Sequence, residues 1–161
     1  MALLARIILN GALVPACACA AATAAGCEPP TAVIVGRAAC PWGSDLVCLS
    51  VRVQNRLDRP VSFVQGPDPR VVGEWSTRYE TRRTDGAVWE NQVLSLTDYS
   101  ARIEDFPKLT VEKGKAETFV VYFPKGLVSV TRSAEARIVL IDMEGHRYET
   151  ERLTDTGEPI P

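Results

Sequence analysis

An alternating run at Asp45–Asn55 limits this chain more than any other feature. Val47, Leu49, Val51 and Val53 share one parity; Cys48, Ser50, Arg52 and Gln54 share the other. Successive side chains of a strand point to opposite faces, so a period of two over this length specifies a half-buried strand. A helix would scatter the same valines around its circumference. Asn55–Pro60 is polar and ends in proline, which makes a turn, and Val61–Val64 returns as a short strand. Gly66-Pro67-Asp68-Pro69 stops it, because proline has no N–H for a ladder.

The same grammar repeats downstream. Glu74–Thr81 alternates, with Trp75, Thr77, Tyr79 and Thr81 on one face and Ser76, Arg78 and Glu80 on the other. Asp85-Gly86 is a hairpin turn, and Ala87-Val88-Trp89 is the expected return. Leu94-Ser95-Leu96 is a strand fragment. Leu109–Val111 meets a turn at Glu112–Lys115, and Glu117–Phe123 is strongly β-prone until Pro124. Ala136–Asp142 and His146–Thr150 form a terminal hairpin about Glu144-Gly145, and Thr154–Pro161 is expected as a loose tail. No window of about 11 residues carries a helical period. Seven to eight short strands between turns predict an all-β chain. The architecture expected is an antiparallel immunoglobulin-like β-sandwich, with a small barrel as the alternative. It would occupy residues 31–153 as one domain.

The first 26 residues follow different rules. Arg6 is their only charge; Ile7–Val14 is apolar; Ala16–Gly26 is rich in small residues. That order describes a cleaved signal peptide. Pro15 and the short apolar core argue against a spanning helix, which needs about 20 apolar residues. Two cleavage sites compete. Ala22-Thr23-Ala24 suits ordinary signal peptidase, while Ala24-Ala25-Gly26-Cys27 resembles a lipobox with alanine in place of the usual leucine. Cysteine parity favours the lipobox. The five cysteines are Cys17, Cys19, Cys27, Cys40 and Cys48. Removing the signal and acylating Cys27 leaves Cys40 and Cys48 as one pair; cleavage after Ala24 strands Cys27 as an odd thiol. Residues 27–30 then form a stiff tether, since Glu28-Pro29-Pro30 cannot continue a helix. Without an aspartate after Cys27, the address leans towards the outer membrane, facing the periplasm. Cleavage after Ala24 would instead release a free periplasmic or secreted protein.

Cys40 and Cys48 are expected to close a disulfide between the loop and the strand that follows it. Cys48 has the parity opposite to the valines, so this bridge is not the buried inter-sheet bridge of antibody domains.

The motif order adds a resemblance. It runs through Val51, Val53 and Asn55; Pro60, Val61 and Phe63; Tyr79-Glu80; Asp85-Gly86 with Val88-Trp89; Leu109, Val111 and Gly114; and Phe119–Phe123. Across Leu46–Phe123 this resembles the BsuPI family of bacterial proteinase-inhibitor-like domains, which implies an immunoglobulin-like sandwich. The chain departs from that pattern at Gln65–Arg70, where a proline-rich insertion replaces a short Ser-Gly-Gln turn. The resemblance bears on the fold and supplies no inhibitory residues.

No catalytic constellation emerges. His146 is the only histidine and has no G-x-S-x-G partner, so it reads as a solvated turn residue. Glu104 and Asp105 are adjacent and would point apart on a strand. Zinc, EF-hand, P-loop and dinucleotide spacings are missing, so no cofactor, metal or small-molecule substrate is implied. A net charge of −2 offers no basic bulk for nucleic acid. What remains are contact residues. Arg70, Arg78 and Arg82, with Arg83, read either as a solvated face balanced by Glu74 and Glu80 or as an Arg/aromatic surface for a protein partner. Trp42 reads either as a partner contact or as packing over the sandwich end. Trp75, Trp89, Phe63, Phe119 and Phe123 are expected in the core. The functional expectation is an exported, lipid-anchored binding module without catalysis, its partner an envelope protein. An inhibitor of a protease or cell-wall hydrolase and a structural subunit of an envelope assembly are the alternatives.

Overall fold

The computed structural model describes residues 31–86, 88–92 and 102–160. The signal segment, the tether with Cys27, Ala87 and the Leu94-Ser95-Leu96 fragment lie outside them. The strands are β1 (Thr31–Arg37), β2 (Leu46–Gln54), β3 (Val61–Val64), β4 (Thr77–Arg82), β5 (Glu90–Gln92), β6 (Lys108–Val111), β7 (Ala116–Pro124), β8 (Glu135–Ile141) and β9 (Arg147–Glu149). A four-residue helix, α1 (Leu127–Val130), interrupts them. Every named pair is antiparallel, in the orders β1-β2-β7, β3-β6 and β5-β4-β8-β9.

The alternating run becomes β2, and its parity survives: Val47, Leu49, Val51 and Val53 are all buried, while Arg52 is exposed. β2 pairs without a break from Leu46↔Pro124 to Gln54↔Ala116, which sets Phe119, Val121 and Phe123 of β7 on the same buried side. Facing residues from the four-stranded sheet, Tyr79, Ile138, Leu140 and Tyr148, join them in one apolar cluster. Phe63 seals it edge-on against Tyr148 and Phe119, at 5.2 and 6.0 Å between ring centroids. Asn55, fully buried, ends β2. Its Nδ2 donates to the Arg59 and Val111 carbonyls and its Oδ1 accepts from Leu57 N–H. The polar turn is therefore built around one satisfied amide.

Several expectations are corrected. Thr31–Arg37, read as no particular element, is a strand, and nine strands are named where seven to eight were expected. Trp75 lies in a 3₁₀ turn, Glu74–Ser76, ahead of β4 and is half-buried. The return after Asp85-Gly86 comes later than Ala87–Trp89. Gly86 N–H closes a turn onto the Arg83 carbonyl, but pairing resumes only at Thr81↔Glu90. Trp89 therefore stays off the ladder and out of the core. The C-terminal stretch is not loose over residues 154–160. Leu153 bridges Ala136 and Pro159, Ile160 N–H donates to the Arg152 carbonyl, and Gly157 is buried under Phe123. Gly157 holds φ +74°, and a Cβ there would sit 3.2 Å from the Phe123 ring, so glycine is needed on both counts.

Candidate interaction surfaces

Cys40 and Cys48 are bonded, with Cα atoms 5.2 Å apart. Cys48 faces away from the valines, yet it is buried. The reason is the loop it pins. Residues 38–45 fold back over the outer side of β2 and β7. Ala38 N–H donates to the Cys48 carbonyl, Lys125 N–H donates to the Asp45 carbonyl, and Lys125 Nζ reaches the Ser44 carbonyl. Trp42 then meets Tyr122, the β7 residue opposite Cys48, with centroids 4.8 Å apart and planes at 75°. Both rings are half-buried, so the pair packs inward and still presents an edge to solvent. Tyr79 Oη, from the other sheet, donates to the Tyr122 carbonyl at 2.9 Å. Burial, then the Glu74 and Asp68 carboxylates, hold the Tyr122 hydroxyl above the usual tyrosine range.

Arg70 comes to the same strand. Its segment is knitted to β7, with Val120 N–H donating to the Arg70 carbonyl at 2.8 Å and Val72 N–H donating to the Val120 carbonyl at 2.9 Å. Asp68 Oδ1 accepts Arg70 N–H, and Gly66 N–H donates to the Val71 carbonyl, so the Pro67–Arg70 tip is a short, tied hairpin. Val120 and Tyr122 share one parity of β7. The structure therefore runs the Arg70 segment along the edge of β7, the strand whose Tyr122 meets Trp42, although Arg70 and Trp42 lie 28 positions apart in sequence.

Arg78 and Arg82 belong elsewhere. Arg78 NH1 donates to the carbonyls of Glu74, Trp75 and Thr77, which closes the 3₁₀ turn onto β4. Arg82 joins a charge ladder on the outer side of β4, β8 and β9. Arg82 pairs with Glu135, whose other oxygen takes Arg152 NH1 at 3.2 Å. Glu80 takes Arg137 NH2 at 2.7 Å and Arg147 NH2 at 2.8 Å. Glu149 links both of those arginines from the edge strand. Trp89 lies over the array, 4.9 Å from the Arg82 guanidinium and 4.2 Å from that of Arg137. Burial alone would push the Glu80 carboxyl up, but the Arg147 and Arg137 hydrogen bonds outweigh it and hold it below the ordinary glutamate range. Sequence reasoning found Arg82 and missed Arg137, Arg147 and Arg152. Their alternation with Glu135 and Glu149 on a terminal hairpin was the available signal.

His146 is not free in solvent. Its Nδ1 lies 2.8 Å from Oδ2 of the buried Asp142, whose Oδ1 accepts the Glu144 and His146 N–H groups. Its Nε2 faces the Arg59 guanidinium at 3.4 Å rather than a hydroxyl. The Asp142–His146 contacts tie the β8–β9 turn together. Among the described residues, no group of three His, Cys, Asp or Glu side chains is placed to hold a metal ion. No family model, curated protein or solved structure matches this chain.

Proposed function

We propose that the protein is an exported, lipid-anchored binding module, an immunoglobulin-like β-sandwich that engages an envelope protein through its Trp42–Tyr122 face. The antiparallel sheets sharing one apolar cluster support the sandwich. The observation that carries the function is the position of Trp42. The tether enters at Thr31, β1 runs from Thr31 to Arg37, and the disulfide-closed loop follows at its far end. Seven residues at roughly 3.3 Å each put that loop about 20 Å from the tether. An aromatic pair held rigid at the end away from the anchor is suited to contact, since rigid aromatics bury area at little entropic cost.

An inhibitor that offers Arg70 to a protease as a substrate mimic is the weaker reading. The Arg70 carbonyl already accepts Val120 N–H, and Val71 is buried. An oxyanion hole would have to peel residues 70–72 off β7 to reach that carbonyl.

The test is co-purification from envelope extracts of tagged wild type and Trp42→Ala. The proposal expects a stoichiometric envelope protein with wild type and at least a tenfold loss with Trp42→Ala. Equal recovery from both would remove Trp42 from the contact. Turnover of a peptide, ester or glycan panel that vanishes on changing His146 would replace the binding module with an enzyme.

A further inference from the structure

The outer sides of the three- and four-stranded sheets differ in charge. On β4, β8 and β9 the arginines and glutamates pair with one another. The outer side of β1-β2-β7 is built otherwise. Register sets Val33, Arg52 and Thr118 in one row across the three strands, and Gly36, Ser50 and Val120 in the next row towards the disulfide. A third row holds Cys48 and Tyr122, with Trp42 against Tyr122. Towards the tether, Thr31, Gln54 and Ala116 complete the face. Arg52 is the one charge in these rows, and it is exposed. Among the described residues no carboxylate pairs with it.

The side chains around Arg52 are short. Val33 is 48% exposed, and Val35, at the β1 bulge, is 51% exposed. Valine, threonine and serine have few rotamers to lose, so covering them costs little ordering entropy. Interface cores share this composition: Lys, Glu and Asp are depleted there, and Trp, Tyr and Arg are enriched. Arg52 sets the chemistry of the occupant. A guanidinium enclosed by an uncharged contact loses its water and needs a carboxylate in its place, which its fork holds through two N–H groups. A second copy of the chain does not fit that need, because these rows contain no carboxylate. Two copies packed face to face about an axis along the strands would also set Arg52 of the central strand against Arg52. About an axis across the strands, they would send the two Thr31 ends, and so the two tethers, in opposite directions.

We infer that the outer side of β1-β2-β7 extends the Trp42–Tyr122 contact, and that its occupant is a different envelope protein, whose surface presents an Asp or Glu to Arg52 within an otherwise uncharged patch. This rests on the binding-module reading and adds the chemistry of the partner. Arg52 and Cys48 lie four residues apart on β2, so roughly 13 Å of face separates that carboxylate from the aromatic pair.

The probe is a photoreactive residue placed in turn at Val33 and Thr118, the positions on either side of Arg52, in the full chain in its own cells. Glu149, on the other sheet, is the control position. The inference expects one protein adduct of the same mass from Val33 and Thr118, and none of that mass from Glu149. Arg52→Glu should cut its yield about tenfold or more, and Arg52→Lys should cut it less, with thermal unfolding confirming that each variant is folded. Mass spectrometry should find Asp or Glu in the joined partner peptide, and reversing that acid to Lys should restore the adduct of Arg52→Glu. Equal yield from wild type and Arg52→Glu would overturn the inference. So would a partner peptide without an acid, the same adduct from Glu149, or an adduct made of two copies of this chain. If Val33 and Thr118 give no adduct while Trp42-dependent capture persists, this inference falls alone; if both fail, the binding module falls with it.

Discussion

Glu80 shows how one side chain can hold a face together. It sits on β4 opposite Arg137, and its two oxygens divide between Arg137 and Arg147. Its folded-state pKa lies below the ordinary value, so its contribution to stability is present above the unfolded value, about 4.3, and is lost as pH falls through that value to the folded one. Glu80→Gln removes the titration and leaves two arginines short of a counter-charge. Urea unfolding of wild type should therefore lose stability on acidification through this window. Glu80→Gln should start lower at neutral pH and fall less steeply. Parallel pH profiles for the two proteins would show that Glu80 is not linked to folding.

At the scale of elements, the disulfide loop has the clearest consequence. Cys40 and Cys48 are 8 positions apart, and closing so short a loop should contribute roughly 2–3 kcal/mol through the entropy of the unfolded chain. Cys40→Ser with Cys48→Ser should lower the urea stability by about that amount. The double variant should also free Trp42, read as greater iodide quenching in a background lacking Trp75 and Trp89. Unchanged quenching would mean the hydrogen bonds of Ala38, Asp45 and Ser44 hold the loop unaided. The elements differ in how far they could be read in advance. β2 and β7 were legible because their valines and phenylalanines alternate over long runs, which leaves one register with an apolar face inside. β1 was not legible. Thr31–Arg37 is nearly continuous in apolar residues before Gly36, and it follows prolines, so no period of two stands out. Trp89 misled because aromatic content reads as core, whereas two arginines on neighbouring strands give its ring a cationic surface to lie on. The Trp42–Tyr122 pair had no local signal at all: the two residues lie 80 positions apart, and only the β2–β7 register brings them together.

At the scale of the molecule, the two ends of the sheets differ. The Thr31 end carries the Asn55–Arg59 turn and the Asp142–His146 turn, joined by Arg59 to Glu144 and His146. The opposite end carries Trp42, Tyr122 and Lys125. If residue 27 bears acyl chains, the first end lies against the membrane and the second is offered to a partner. Cys27→Ser should then release the protein from the membrane fraction without altering its unfolding, because each buried acyl CH₂ contributes about 0.8 kcal/mol to anchoring and none to the fold. Intact mass checks the same point. A wild-type chain beginning at Ala25 without acyl chains would make the protein a free periplasmic or secreted one.

The most direct test of a tethered module with a distal contact face is site-specific photo-crosslinking in living cells. A photoreactive residue is placed in turn at Ser44, beside Trp42, and at Asp58, in the turn near the tether; both positions are exposed. The account predicts one discrete protein adduct from Ser44 and none of that mass from Asp58. The same adduct from Asp58 with nothing from Ser44 would contradict it.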